Sequence, residues 1–207
     1  MFKSKWILCV IALVMFGKSM AIEEAKYNVL LKEDDFEVRE YEPFVVAETI
    51  VDDTFEDAGS KAFQKLFKYI SGNNQTQQEI AMTAPVSQTS QKIDMTAPVA
   101  QQKSGEGWGV SFMMPSSFTL ETLPTPTDPL VNLRQMDQQF MASVQYSGFW
   151  SESNYLENKA KLETWINSKG YQSSAAPIWA RYNAPFTPWF LRRNEVLVPI
   201  TGFQQNN

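Results

Sequence analysis

Between Tyr27 and Val51 the apolar residues keep the period of a strand, and from Thr54 they change to the period of a helix. Tyr27 to Leu31 and Phe36 to Tyr41 read as strands, the second alternating Phe36 and Val38 with Glu37 and Arg39, and Phe44 to Val51 is a β-branched run. The positions Phe55, Ala58, Ala62, Phe63, Leu66, Phe67 and Ile70 then lie on one helical face. Thr54 with Asp57 resembles a capping box, Asp52, Asp53, Glu56 and Asp57 suit the positive end of the helix, and Gly72 is placed to end it. The plan then repeats. Phe140 to Tyr146 is strand-like, Ser151 opens a helix carrying Leu156, Ala160, Trp165 and Ile166, and Gly170 ends it. Two further strands follow each helix, closing on Phe112-Met113-Met114-Pro115 in one half and Val196-Leu197-Val198-Pro199 in the other.

An internal duplication explains this repetition, with one half over about 22–122 and the other over about 130–203. Paired strand-helix-strand-strand units predict an α+β fold: one curved antiparallel sheet, or a distorted barrel, with both helices outside and a cleft between helix and sheet. The connection Leu123 to Pro129 carries three prolines and is expected to cross the surface as a stiff linker.

The first 21 residues depart from this patterning. Lys3 and Lys5 precede the unbroken apolar stretch Trp6 to Phe16, and Ser19-Met20-Ala21 supplies small residues around a cut site, which together read as a signal peptide. The run is shorter than the roughly 20 residues a membrane span needs. Cleavage leaves residues 22–207 as a single domain, expected to act as a monomer in the periplasm or outside the cell, without a membrane span.

Removing Met1 to Ala21 from 207 residues leaves 186, and takes Lys3, Lys5 and Lys18 with it, so 15 basic residues face 23 acidic ones at a formal charge of −8. Such a surface repels phosphate backbones, and nucleic acid is not an expected partner. Cys9 is the only cysteine and leaves with the signal, so stability must come from packing rather than disulfides. Histidine is absent from the whole chain. This removes the commonest general base, the Ser-His-Asp and Cys-His nucleophile systems and, with cysteine gone, both common soft metal ligands.

One pentapeptide is written twice, as Met82-Thr83-Ala84-Pro85-Val86 and Met95-Thr96-Ala97-Pro98-Val99. Proline removes a ladder donor, so these segments should run at a sheet edge or bulge, where a groove can form. With Glu37 to Tyr41, Ala62 to Asn73, Val110 to Pro115, Leu123-Pro124, Phe149 and Arg192 to Val196, the repeated motif resembles the SOUL haem-binding family over nearly all of the mature chain. The resemblance implies a duplicated α+β barrel with two outer helices and an apolar cleft that accepts haem or another tetrapyrrole. Histidine ligation of haem iron is impossible here. That leaves burial of the porphyrin face, or ligation by Met or Tyr, and no dedicated metal site is expected.

Lys61, Lys65 and Lys68 recur at helical spacing and would meet the propionates of a haem; the alternative is a solvated helix face. Phe63 and Phe67 serve either the pocket or the core. Met82 and Met95 could touch a porphyrin face. The segment Tyr182 to Arg193 mixes prolines, aromatics and arginines and reads as a semi-rigid lip, in which Phe186 and Trp189 would cover an apolar ligand and Arg192 would meet a carboxylate at the rim. Binding outranks catalysis on this reading. The alternatives are a cofactor-free hydrolase or lyase using Glu195 and tyrosine hydroxyls, and an envelope interaction protein.

Overall fold

The computed structural model describes residues 22–76 and 90–204. Three strands, β1 (Tyr27–Glu33), β2 (Phe36–Tyr41) and β3 (Phe44–Val51), lead into helix α1 (Phe55–Ile70). After it come β4 (Asn74–Gln75), β5 (Val99–Ser104), β6 (Gly107–Met113), β7 (Thr125–Pro126), β8 (Asn132–Met136) and β9 (Gln139–Tyr146). Helix α2 (Glu152–Ser168), β10 (Gln172–Ser173), β11 (Ile178–Arg181), a 3-10 turn at Trp189–Leu191 and β12 (Asn194–Thr201) complete the chain. The long strands form one curled antiparallel sheet in the order β1-β2-β9-β12-β11-β5-β6-β3-β8, with β10 paired to β12 and a separate β4-β7 pair. This is the expected α+β architecture, a distorted half-barrel carrying two helices.

The strand order is mirrored about the β11-β5 contact. On one side run β5, β6, β3 and β8, and on the other β11, β12, β9 and β2. Each half thus gives a strand to the other: β2, which precedes β3, pairs with β9, and β8, which precedes β9, pairs with β3.

Both helices are capped as the residues dictate. Asp57 N donates to Thr54 Oγ1 at 3.3 Å and Asn154 N to Ser151 Oγ at 3.4 Å, satisfying N-terminal donors that the helix cannot. Gly72 and Gly170 sit at φ +112° and +74°, the left-handed conformation in which each helix terminates. The buried face of α1 is rotated from the expected one. Ala58, Gly59, Ala62, Leu66, Tyr69 and Ile70 are buried, whereas Phe67 is exposed. In α2 the anchors are Tyr155, Leu162, Trp165 and Ile166, and Leu156 is exposed.

Alternation in β2, β9 and β12 sends Val38, Ala142, Val144, Val196 and Val198 toward α2, while α1 packs on Val45, Ala47, Val110 and Phe112. Phe55, at the start of α1, stacks on Trp179 of β11 (4.6 Å between centroids) and on Tyr155 of α2 (5.4 Å), so one aromatic cluster joins the halves. The proline-rich connection departs from a surface linker. Leu123 and Pro124 are buried, Tyr69 Oη donates to the Pro124 carbonyl at 2.9 Å, and Thr125–Pro126 pairs with Asn74–Gln75. Prolines bar a long strand but allow this two-residue pairing at an edge. The second pentapeptide also departs from an edge position: it runs into β5, at the centre of the sheet, with Pro98 standing just before the first strand residue. The first pentapeptide lies outside the described residues.

Burial pushes the hydroxyl pKa of Tyr41 and Tyr155 up to about 12, and those of Tyr69, Tyr146 and Tyr182 further. A tyrosine whose folded pKa exceeds its unfolded one contributes stability that is complete below about pH 10 and lost as pH rises through the folded value. Arg181, lowered to about 10 by burial, acts in the opposite sense over this range but is outnumbered five to one. The protein should therefore unfold cooperatively between about pH 10 and 12, with tyrosinate absorbance rising in step with the loss of circular dichroism. Ionisation of these tyrosines near pH 10 with secondary structure intact would contradict this packing.

Candidate functional site

On the helix-bearing face, α1 and the segment joining β11 to β12 diverge and leave a cleft of about 330 Å³. Gly59, Ser60, Phe63 and Gln64 of α1 form one wall; Val99, Arg181, Trp150, Asn183 and Pro185 form the rest. The volume is within the range of small-molecule sites, and the wall is mainly apolar with a few polar groups.

The local sequence explains this opening. Gly59 has no side chain to fill it: a Cβ there would lie 2.9 Å from Arg181 Nη2 and 2.9 Å from Gln101 Oε1. A glycine inside a helix costs roughly 0.5–1 kcal/mol, and here it lets a guanidinium lie against the helix backbone. Val99 and Arg181 are cross-strand partners and so reach the cleft from the same face of the sheet. Trp150 is fixed by its indole N–H, which donates to Asn194 Oδ1 at 2.9 Å. The guanidiniums of Arg192 and Arg181 stand 4.3 and 5.5 Å from its ring centroid.

The lip is a closed loop. Arg192 donates from Nε to the Thr187 carbonyl and from Nη2 to the Pro185 carbonyl, both at 2.8 Å, and Arg193 N donates to Asn183 Oδ1 at 2.5 Å. Phe186 at its tip is 89% exposed, and Trp189, Phe190 and Leu191 are exposed beside it. Trp189 stacks on Phe149 at 5.3 Å. These aromatics stand beside the cleft rather than folding back into the core.

The structure brings together only part of the expected set. Phe63 is in the cleft wall, edge-on to Phe112 at 5.2 Å, and Phe67 stacks on it from the solvent side at 5.9 Å. Lys65 and Lys68 line a neighbouring depression with Ile50, Val51 and Asp52, and Gln64 borders both openings. Lys61 is paired with Asp53. Arg192 directs its donors to loop carbonyls, so it shapes the lip. Met95 is exposed and is not in the cleft wall; Met82 lies outside the described residues. Sequence reasoning missed Gly59, Trp150 and Arg181. A glycine within an otherwise helical pattern was a legible signal, whereas Arg181 becomes visible only once the β5–β11 register is known.

The face of the sheet away from the helices holds Glu37 and Arg39 of β2 and Glu195 of β12. Glu195 is wholly buried and accepts from Arg39 Nη1 (2.7 Å) and Nη2 (3.1 Å), Arg193 Nε (3.0 Å) and the Tyr182 hydroxyl (2.8 Å). Arg39 also donates to Glu37 at 2.7 Å, and Arg193 to Glu24 at 2.9 Å. Burial works against the Arg39 charge, but the hydrogen bonds and charge of Glu195 outweigh it and raise its pKa above the ordinary arginine range. Four donors thus occupy the Glu195 carboxylate from three side chains. Glu195, named with tyrosine hydroxyls in the enzymatic alternative, thus sits inside an ion cluster. A cavity on this face, between Tyr41, Phe44, Met141 and Tyr182, measures only about 70 Å³.

Among the described residues, no group of three or more His, Cys, Asp or Glu side chains is placed to hold a metal ion, and no helix is long and apolar enough to cross a membrane. The described cleft wall contains no His, Cys, Met or Tyr. Its residues offer apolar surface and one cation, Arg181.

The fold is similar to solved structures of distant sequence. The C-terminal domain of EcmrR superimposes with a TM-score of 0.57 over 84% of this chain and 98% of that one at 11% identity, and a hydrolase from Listeria innocua with 0.53 over 83% and 94% at 10% identity. In sequence, the chain is 29% identical to heme-binding protein 1 of Xenopus tropicalis over 163 residues, 78% of this chain and 81% of that protein. It is 27% identical to heme-binding protein 1 of Sus scrofa over 188 residues, 88% and 93% of the two. The model of the SOUL heme-binding protein family matches residues 22–199. The sheet with its two helices, the motifs and this match together place the chain in the SOUL heme-binding protein family.

Proposed function

We propose that this protein binds haem or a related tetrapyrrole in the cleft between α1 and the β11–β12 connection, holding it through its apolar faces without histidine ligation. The observation that carries this reading is the wall itself: Phe63, Val99, Trp150 and Pro185 offer apolar surface, Arg181 supplies a cation, and no described iron ligand is present. The exposed lip aromatics extend the apolar surface beyond the cleft, as a large flat ligand requires. The similarity to heme-binding protein 1 supports the same ligand class.

We also propose that the protein is exported and works in the periplasm or outside the cell, on the strength of the Lys3 to Ala21 pattern. Cleavage before Ile22 leaves the fold whole, because Glu24 pairs with Arg193 and the Glu23 carbonyl accepts from Ala97 N at 2.9 Å. Recovery of the chain at full-length mass in the cytoplasm would count against export.

Paramagnetic broadening locates the ligand. Added ferric haem should selectively erase the amide signals of Gly59, Ser60, Phe63 and Asn183. Erasure centred on Tyr41, Met141 and Tyr182 would move the site to the other face of the sheet and overturn the reading.

A further inference from the structure

We propose that Arg181 forms a carboxylate subsite at the base of the cleft, so that this protein selects tetrapyrroles bearing free acid groups and orients them with one carboxylate inward. This rests on the tetrapyrrole reading above and adds a residue and a selectivity to it.

Arg181 differs from the other arginines. Arg39, Arg134 and Arg193 are each paired with a carboxylate, and Arg192 is engaged by two loop carbonyls. Arg181 has no carboxylate partner among the described residues. Among the described residues its one hydrogen bond runs from Nη2 to the neutral Gln101 Oε1 at 3.2 Å. Its Nε is buried with no acceptor. A guanidinium taken out of water without an anion is costly, and folded proteins keep such groups where a ligand completes them. Burial lowers its pKa to about 10, which still leaves it charged at neutral pH.

The surroundings hold this cation in place without neutralising it. Its guanidinium lies 4.5 Å from the Trp179 centroid and 5.5 Å from that of Trp150. Gly59 leaves the space it occupies, and Gln101 is fixed by donating to the Phe55 carbonyl at 2.7 Å. The Tyr146 hydroxyl, buried beside the Trp179 indole N–H, meets no carboxylate either, and Tyr146 is near enough to Arg181 for their charges to interact. The base of an apolar cleft therefore has donors in excess and no anion, which is the chemistry of a carboxylate site.

The test compares metal-free protoporphyrin with its dimethyl ester, titrated by fluorescence against the wild type, Arg181→Met and Arg181→Lys. The wild type should prefer the diacid by at least about tenfold, and Arg181→Met should lose about 10- to 100-fold in diacid affinity while binding the ester as the wild type does. Arg181→Lys should recover part of the preference. Unchanged ester binding shows that the variant is folded. Equal wild-type affinity for acid and ester, or an equal loss of both in Arg181→Met, would overturn the subsite while leaving the cleft. No saturable binding of either by the wild type would overturn the tetrapyrrole reading and the subsite with it.

Discussion

Glu195→Leu should destabilise the protein by about 3–5 kcal/mol, because it strands Arg39 in the sheet interior with its strongest partner gone. The Glu195 side chain is wholly buried and that of Arg39 is 3% exposed, so water cannot replace the lost carboxylate. Glu37 remains to Arg39, and Glu24 to Arg193, but each of these meets its guanidinium at the margin of the cluster. The double variant Arg39→Met, Glu195→Leu removes both buried charges and should recover most of the loss, since a paired buried ion cluster contributes little net stability over an apolar pair of similar size. Denaturant unfolding measures both. A loss below about 1 kcal/mol for Glu195→Leu, or a double variant as unstable as the sum of the singles, would show that the cluster is not one unit. The folded fraction of Glu195→Leu should still bind porphyrin, because the cluster and the cleft lie on opposite faces of the sheet.

Ser60→Trp should weaken porphyrin binding by roughly tenfold or more, equivalent to about 1.4 kcal/mol. Ser60 is exposed on α1 and lines the cleft, so an indole there occupies the space the ligand needs and touches none of the core. The effect on stability should stay within about 0.5 kcal/mol. Lys65→Glu makes the contrast, since Lys65 faces the neighbouring depression and its reversal should change affinity by less than about threefold, the effect of a screened surface charge. Absorbance titrations of both variants decide the matter. Unchanged affinity in Ser60→Trp with a large loss in Lys65→Glu would put the ligand on the lysine side of α1.

The fold was largely legible because its signals are local. Period changes at Thr54 and Ser151, the caps at Thr54, Ser151, Gly72 and Gly170, and the repeated strand-helix-strand-strand order all depend on near neighbours in sequence. What escaped depends on distant ones. Leu123 and Pro124 read as linker residues because three prolines surround them, yet a buried Leu123 and one tyrosine hydroxyl bond draw that segment into the core. The site was half legible for the same reason. Phe63 and the lip were visible as aromatics on a helix and a proline-rich loop. Lys65 and Lys68 share a helical stripe, but the stripe faces away from the cleft by an angle that the sequence does not state. Arg181 looks like an ordinary strand-end charge until Val99, Gly59 and Trp150 are placed around it. Glu195 was singled out for its apolar neighbours, and its four hydrogen bonds come from elements up to 156 residues away.

A tetrapyrrole held through its faces needs no essential iron ligand. The most direct measurement is an absorbance titration of the mature chain with ferric haem and, separately, with metal-free protoporphyrin. Saturable binding of both with comparable affinity is expected. Tight binding of haem alone would show that iron is ligated after all, and no saturable binding of either would contradict the claim outright.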